Sequence, residues 1–369
     1  MKIVYISKLN GNPWAGPSYS IPSQISSQNQ IDDVYWFNLM EPSSSISDGW
    51  LALGYYYDYR KTSIKRLNDI IAISGVPNIF IIEQFYAFFN EIVVKEIVNS
   101  SIPYVIIPRG ELTSKAQSIK KIKKSIANYL FFNKLASKAT AIQYLTVNES
   151  EDSGMKWNRN KIIIPNGIRD SVNKLIINNA KIDIRIVSIG RIDMYHKGLD
   201  LLIAACSNLK EKLMTTNCKI DLYGPCANGD IAYIESMIEQ SGLSDIISIN
   251  GPVYGIEKET VLLNSTLFIM TSRFEGHPMA LIEAMNYGLP CIVTEGSNMR
   301  SEVEQYDAGW GADNTISSIE AAILKALNSR NDYSSYSINA IRLSKEYEWD
   351  KLALISHDEY QKLIHSTNC

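Results

Sequence analysis

Glu275 and Glu283 stand eight residues apart in the stretch TLFIMTSRFEGHPMALIEAMNYGLPCIVT, residues 266–294. Between them lies a helix start, whose backbone N–H groups and positive dipole end suit a phosphate. Glu283 falls about five residues into that helix, about 7 Å along its axis, and off the face that carries Leu281 and Ile282. An extended ligand could be held by a carboxylate at each end and by N–H groups in the middle. A nucleotide diphosphate sugar has that layout, with hydroxyls on the sugar, a diphosphate, and hydroxyls on the ribose. The plain alternative is an amphipathic helix with a solvated glutamate at each end.

A second set is cationic. In 190–200, GRIDMYHKGLD, Arg191 and Lys197 follow an apolar run and precede a helix. Arg191 offers a planar fork and Lys197 a point charge, a pairing that suits a diphosphate and would stabilise charge building on a leaving one. Ordinary surface cations are the alternative. Arg109, in Pro108-Arg109-Gly110-Glu111-Leu112, is a candidate for holding a phosphate or sugar hydroxyl of an acceptor; the alternative is a structural arginine paired with a nearby acid.

These residues need strands and helices to position them. Residues 266–270 are a short apolar run that reads as a buried strand. Pro278 suits the first position of the following helix, Gly288 its end, and 291–293 the next strand. Apolar runs at 2–7, 78–82, 104–107, 141–146, 161–164, 183–189, 219–222 and 246–250 read as further strands, with helices expected at 87–100, 148–155 and after Asp200 through Leu209. The loop 9–20 holds Gly11 and Gly16; ligands of doubly wound sheets lie beyond carboxyl ends of strands, and a plain surface loop fits equally. Residues 30–53 show no clear period. The segment 54–74 opens with Tyr55, Tyr56, Tyr57 and Tyr59, which could stack on a sugar or pack at a helix start. Residues 114–138 are the most basic, with Ile119, Ile122 and Ile126 on one helix face and lysines around them. A basic amphipathic helix suits an anionic membrane surface, and a solvated face over the core is the alternative.

The 369 residues suggest two domains, each able to bury a core. Hydrophobic residues at 46% and charged residues at 20% are those of a globular protein. A net charge of −3 gives no electrostatic case for nucleic acid. The first eleven residues do not read as a signal peptide, and no apolar run approaches ~18 residues. Cys206, Cys218, Cys226, Cys291 and Cys369 show no C-x-x-C spacing, which argues for reduced thiols and a cytoplasmic chain.

Taken together, E-G-H-P-M-A-L-I-E-A-M closely resembles the E-x7-E motif of retaining GT-B glycosyltransferases of the GT4 family, glycosyl transferases group 1. The pattern G-R-x(5)-K-G-L-D resembles that family's second signature, P-R-G-x-L is a loop it often carries, and Pro165-Asn166-Gly167-Ile168 resembles its marker of the passage between domains, placed near 169–179. The resemblance implies an α/β fold of GT-B type, two doubly wound Rossmann-like domains facing across a cleft. The acceptor domain would span 1–170, the donor domain 171–345, and a closing helix in 346–369 would cross back onto the first. It implies catalytic roles for Glu275, Arg191 and Lys197. Donor contacts would come from Gly16, Gly190, Arg191, Lys197, Val253, Lys258, Glu275, Gly276, His277, Pro278, Met279, Ala280, Leu281 and Glu283, and acceptor contact from Arg109. The usual Gly-Gly pair near Gly16 is replaced by Ala15-Gly16-Pro17-Ser18, and Arg109 stands in a region where other members have a histidine.

The implied reaction is retaining transfer of a hexosyl or N-acetylhexosaminyl group from a UDP- or GDP-linked sugar to a glycan or lipid-diphosphate saccharide, in bacterial surface polysaccharide assembly. No cofactor or metal is expected: no D-x-D occurs, the motif by which the other main glycosyltransferase architecture generally holds its metal. Peripheral contact with the inner membrane through 114–138 is part of the same expectation, and nucleic acid is not. The alternatives on this fold are a nucleotide-sugar epimerase or hydrolase, and a non-catalytic scaffold.

Overall fold

The structure is a computed structural model describing residues 1–12, 15–42, 47–170, 183–226 and 231–367. From residue 171 on, the expected interdomain passage lies outside the described residues, as does Cys369. The chain divides into two compact units, Met1–Arg169 with Trp349–Cys369, and Asp170–Glu348.

The first unit holds a seven-stranded sheet of β1 (Lys2–Ser7), β2 (Asp33–Asn38), β3 (Tyr56–Tyr57), β4 (Ile79–Glu83), β5 (Tyr104–Ile107), β6 (Ala141–Tyr144) and β7 (Lys161–Ile163). Their order is β3-β2-β1-β4-β5-β6-β7, and all pairs are parallel. A parallel sheet is covered on both faces, so its strands are apolar throughout. Alternate residues then feed two cores: Val4, Ile6, Phe80 and Ile82 on one side, Ile3, Tyr5, Ile79 and Ile81 on the other. Trp349, Leu352 and Tyr360 of the last helix, Trp349–Thr367, join the second of these cores. Trp349 N–H donates to the Ile168 carbonyl at 3.0 Å.

The second unit holds β8 (Ile184–Ile189), β9 (Cys218–Tyr223), β10 (Ile247–Asn250), β11 (Leu267–Met270), β12 (Cys291–Thr294) and β13 (Gly309–Ala312). Their order is β10-β9-β8-β11-β12-β13, again parallel throughout. The order reverses at β8, so the crevice between the carboxyl ends of β8 and β11 is where such a sheet offers a ligand site. Each unit is thus a Rossmann-like α/β layer structure.

Several local expectations are corrected. Residues 17–28 are a helix, Pro17–Gln28, and the loop before it is correspondingly shorter. Its inward face mixes the core isoleucines Ile21 and Ile25 with buried Ser20, Gln24 and Gln28, so its apolar period is only two residues long. Residues 33–38 are a strand buried on both faces, inside a stretch without a visible period. Instead of one helix over 87–100 there is a short 3-10 turn, Tyr86–Phe88, and then the helix Ile92–Asn99. Tyr56 is buried in the edge strand, where its hydroxyl donates to Asp58 Oδ2 at 2.7 Å. The basic segment is broken into Ser114–Ser118, Lys121–Ala127, a π-helical turn Asn128–Phe132, and Asn133–Lys138; Lys120, at φ 54°, makes the first break.

Candidate active site

The loop leaving β8 is fixed at both ends. Gly190 N–H donates to the Tyr223 carbonyl at 2.9 Å, continuing the sheet beyond β8. At the other end Gly198 takes a left-handed φ of 63° at the head of the helix Leu199–Asn208. A Cβ there would lie 2.1 Å from the Thr271 carbonyl oxygen, so only glycine fits. Thr271 Oγ1 donates to the Lys197 carbonyl at 3.0 Å, and His196 N–H to Asp193 Oδ1 at 2.8 Å. This close packing of the β8 loop onto the end of β11 sets Lys197 beside the acid that follows β11.

That acid is Glu275. Its Oε1 accepts from Lys197 Nζ at 2.5 Å and from Ser272 Oγ at 2.6 Å. The loop carrying it is tied from behind: the Ser272 carbonyl accepts from Thr294 Oγ1 at 2.7 Å and Asn314 Nδ2 at 2.9 Å, and Asn298 Nδ2 donates to the Glu275 carbonyl. Arg273 points away and forms a two-pronged pair with Asp200, both bonds 2.7 Å, under the Tyr195 ring. Gly190, Arg191, Lys197, Tyr223, Thr271 and Ser272 line a depression at the carboxyl ends of β8, β9 and β11. Arg191 is half-exposed there, 3.4 Å from Asp193.

The helix begins one residue later than expected, as Met279–Asn286, with Pro278 at its N-cap. Part of the expected anion seat is already used. Met279 N–H donates to the His277 carbonyl and Leu281 N–H to the Pro278 carbonyl, each at 3.0 Å. Leu281 has a fully buried side chain, so only its backbone faces the helix start. Gly276 is exposed, and Met279 and Ala280 are half-buried at the helix start. The His277 ring packs 5.5 Å from Tyr347, and its Nδ1 is buried with no hydrogen-bond partner among the described residues. Burial pulls its pKa down to about 4, so the ring is neutral at physiological pH. His196, edge-on to Phe274 at 4.3 Å, is also held low by burial, against the pull of Glu275.

Glu283 lies further along the helix, paired with Lys258 Nζ from the helix Gly255–Leu263. Two residues expected to touch a donor thus touch each other. Val253 is half-buried beyond β10, two strands away from β8. Gly16 belongs to the first unit and heads the helix Pro17–Gln28; a side chain there would meet nothing.

Arg109 is the main correction. Its side chain is buried, donating from Nε to Glu83 Oε2 at 2.8 Å, from Nη1 to Asn166 Oδ1 at 2.6 Å and Ser20 Oγ at 3.3 Å, and from Nη2 to Gln24 Oε1 at 2.8 Å. A guanidinium so occupied is a structural tie within the first unit and not an acceptor clamp. Burial raises the pKa of Glu83, and Arg109 opposes that rise. Ser272 and Asn298, which hold Glu275, were not expected. The spacing of Ser272, three residues before the acid in a turn, is a usable signal. Asn298 arrives from 23 residues downstream and has none.

Residues 173–343 match the family described as Glycosyl transferases group 1. The two parallel Rossmann-like sheets are the two-domain α/β fold that the GT-B resemblance implied. The chain is 31% identical over 133 residues to WcaL of Escherichia coli K12, named for colanic acid biosynthesis, a match covering 34% of this chain and 32% of that protein. It is 30% identical over 151 residues to the amylovoran biosynthesis glycosyltransferase AmsK of Erwinia amylovora, covering 39% and 36%. The matched stretch thus spans about a third of the length of these curated relatives. A crystal structure of HepE from Anabaena in complex with UDP superposes with a TM-score of 0.72 at 13% identity, over 98% of this chain and 100% of that one.

Among the described residues, no group of three His, Cys, Asp or Glu is placed to hold a metal ion, and no helix is long and apolar enough to cross a membrane.

Proposed function

We propose that this protein is a retaining glycosyltransferase. It moves a hexosyl or N-acetylhexosaminyl group from a UDP- or GDP-linked sugar to a glycan or lipid-diphosphate saccharide during bacterial surface polysaccharide assembly. The observation that carries the reading is the Lys197–Glu275 pair at the strand-order reversal of the second unit, with Arg191 on the same loop. The family match, the polysaccharide-biosynthesis names of WcaL and AmsK, and the UDP in the HepE structure support it.

In this reading the glycosidic bond to the diphosphate lengthens first, and the sugar ring takes on positive charge. Lys197 and Arg191 stabilise the departing diphosphate, as cations aimed at developing charge do. Glu275, held by Ser272, orients the sugar hydroxyls and supports the cationic ring. The leaving phosphate accepts the proton of the attacking acceptor hydroxyl, which enters from the same face and so retains configuration. Glu283 holds the ribose hydroxyls once Lys258 shares or yields its carboxylate. Two cations supply the charge compensation, and the reaction runs without a metal. A lipid-borne acceptor would bring the protein to the cytoplasmic face of the inner membrane.

The test is a panel of nucleotide sugars and lipid-diphosphate acceptors in the presence of a chelator. Product is read by mass spectrometry and anomeric configuration by proton NMR. A product retaining the donor's anomeric configuration is expected. Donor consumption without acceptor would assign an epimerase or hydrolase, and donor binding without product across the panel a scaffold.

A further inference from the structure

The segment 114–138 turns its apolar side chains the wrong way for a core helix. Ile119, Ile122, Ile126, Tyr129 and Leu130 recur at the three- and four-residue spacing of one helix face. All five face solvent, with exposures from 57% at Ile126 to 86% at Tyr129. The core is met instead by Phe131, Phe132, Leu135 and Ala136. The π-helical turn Asn128–Phe132 adds a residue to the turn and holds the changeover: within it Tyr129 and Leu130 are exposed, and Phe131 and Phe132 are buried.

This outward face is held in place. Tyr86 Oη lies 2.9 Å from both Gln117 Oε1 and Asn128 Oδ1, and Gln117 Nε2 donates to the Glu111 carbonyl at 2.7 Å. Thr113 caps the first short helix through its side chain. Phe89, itself partly exposed, extends the patch, its ring 6.3 Å from Phe131, with Lys95 Nζ within 6 Å of both rings.

The charge is of one sign. No Asp or Glu occurs between Glu111 and Glu149, while Lys115, Lys120, Lys121, Lys123, Lys124, Lys134 and Lys138 all fall in that interval. The whole chain is net negative at −3, so this is a local concentration of charge. Isoleucines and lysines alternate along the same short stretch, so insertion of apolar tips and headgroup contact by ammonium groups happen together. An acidic protein groove would answer the lysines and leave the isoleucines to find separate pockets. A bilayer answers both with one surface. Apolar insertion plus a polybasic cluster is also the two-signal combination that stable peripheral binding requires.

We infer that Ile119, Ile122, Ile126, Tyr129 and Leu130, with Lys120, Lys121 and Lys123 among them, form a docking surface for an anionic phospholipid bilayer. The segment lies on the headgroups and does not cross. The inference rests on the surface of the first unit and does not depend on the donor site.

The full chain is sedimented with vesicles of phosphatidylglycerol and phosphatidylethanolamine, and separately with phosphatidylcholine alone, without any nucleotide sugar. At least tenfold more binding to the anionic vesicles is expected, falling with added salt. Ile122→Glu with Ile126→Glu should lose at least tenfold of that binding with the melting temperature unchanged, since both side chains are already in water. Lys120→Gln, Lys121→Gln and Lys123→Gln together should abolish the preference for anionic lipid. No binding to anionic vesicles, or binding indifferent to the Ile122→Glu and Ile126→Glu exchange, overturns the inference. So does a lipid-free dimer in sedimentation velocity that the same exchange disperses, which would assign the face to a second copy, or capture of the face by an acidic protein in place of the vesicle.

Discussion

Lys197 Nζ and Ser272 Oγ converge on one oxygen of Glu275, Oε1, at 2.5 and 2.6 Å. The acid that follows β11 is therefore oriented by a cation from the β8 loop and a hydroxyl from its own. A carboxylate gripped this way spends no further ordering entropy when a sugar arrives. Glu275→Gln keeps the shape but gives up the charge, and Lys197→Met gives up the counter-charge. Each should lower kcat/KM by ~1–3 kcal/mol, the worth of a charge-assisted contact. Because the two groups touch, the double variant should cost less than the sum. Steady-state kinetics on the four proteins measures this, and unchanged turnover in both single variants would remove the site assignment.

Glu283 and Lys258 form a second pair, between neighbouring helices and open to water. A partly exposed pair of this kind contributes little to stability, at most ~1 kcal/mol. Glu283→Gln should therefore leave the melting temperature nearly unchanged yet weaken donor binding by ~1–3 kcal/mol if the carboxylate holds the ribose. Lys258→Met should spare donor affinity more than Glu283→Gln does. Titration calorimetry with a nucleoside diphosphate reads both; equal losses would make the lysine the ligand and the glutamate its support.

Arg109 yields a prediction of the opposite kind. Removing one partner of a buried ion pair leaves the other charge uncompensated, a cost of ~3–5 kcal/mol. Arg109→Met should destabilise by about that much in urea unfolding, because Glu83 is left buried without it. Adding Glu83→Leu should recover a good part of the loss. An Arg109→Met protein of normal stability but raised acceptor KM would restore the acceptor role.

His277 makes stability depend on pH. Its folded pKa is about 4, against an ordinary 6.5. Above pH 6.5 the ring is neutral both folded and unfolded, and stability does not change with its protonation. As pH falls from 6.5 towards 4 the unfolded chain takes up a proton that the folded one refuses, so stability is lost across that window, to a limit of about 3 kcal/mol. His277→Asn should flatten this part of the profile. Denaturant unfolding at pH 7.5 and pH 5 checks it: the wild-type loss should exceed the variant's.

What could be read from the sequence was what is local. The G-R…K-G and E-G-H-P loops follow strands that are apolar from end to end, and a strand running into a glycine-bearing polar loop announces itself within a dozen residues. The helix Pro17–Gln28 did not, since its buried face sets only Ile21 and Ile25 among Ser20, Gln24 and Gln28. Ser20 and Gln24 are buried because they meet Arg109, which stands far off in the sequence, while Gln28 meets Asp32 only four residues on. The fate of Arg109 was hidden for the same reason, with ligands from positions 20, 24, 83 and 166. The isoleucine face of 114–138 was visible as a face. Only the tertiary structure shows that it points outwards, and that the change from exposed to buried falls within one π-helical turn.

Trp349, Leu352 and Tyr360 complete a core whose other buried members all precede residue 165, with the whole second unit, Asp170–Glu348, threaded between. Anyone wishing to prepare the two halves as separate samples should therefore not cut the gene once. A fragment stopped after Arg169 would leave a hydrophobic scar where the last helix belongs, and stitching 349–369 directly behind it through a short spacer is the recombinant design this topology calls for.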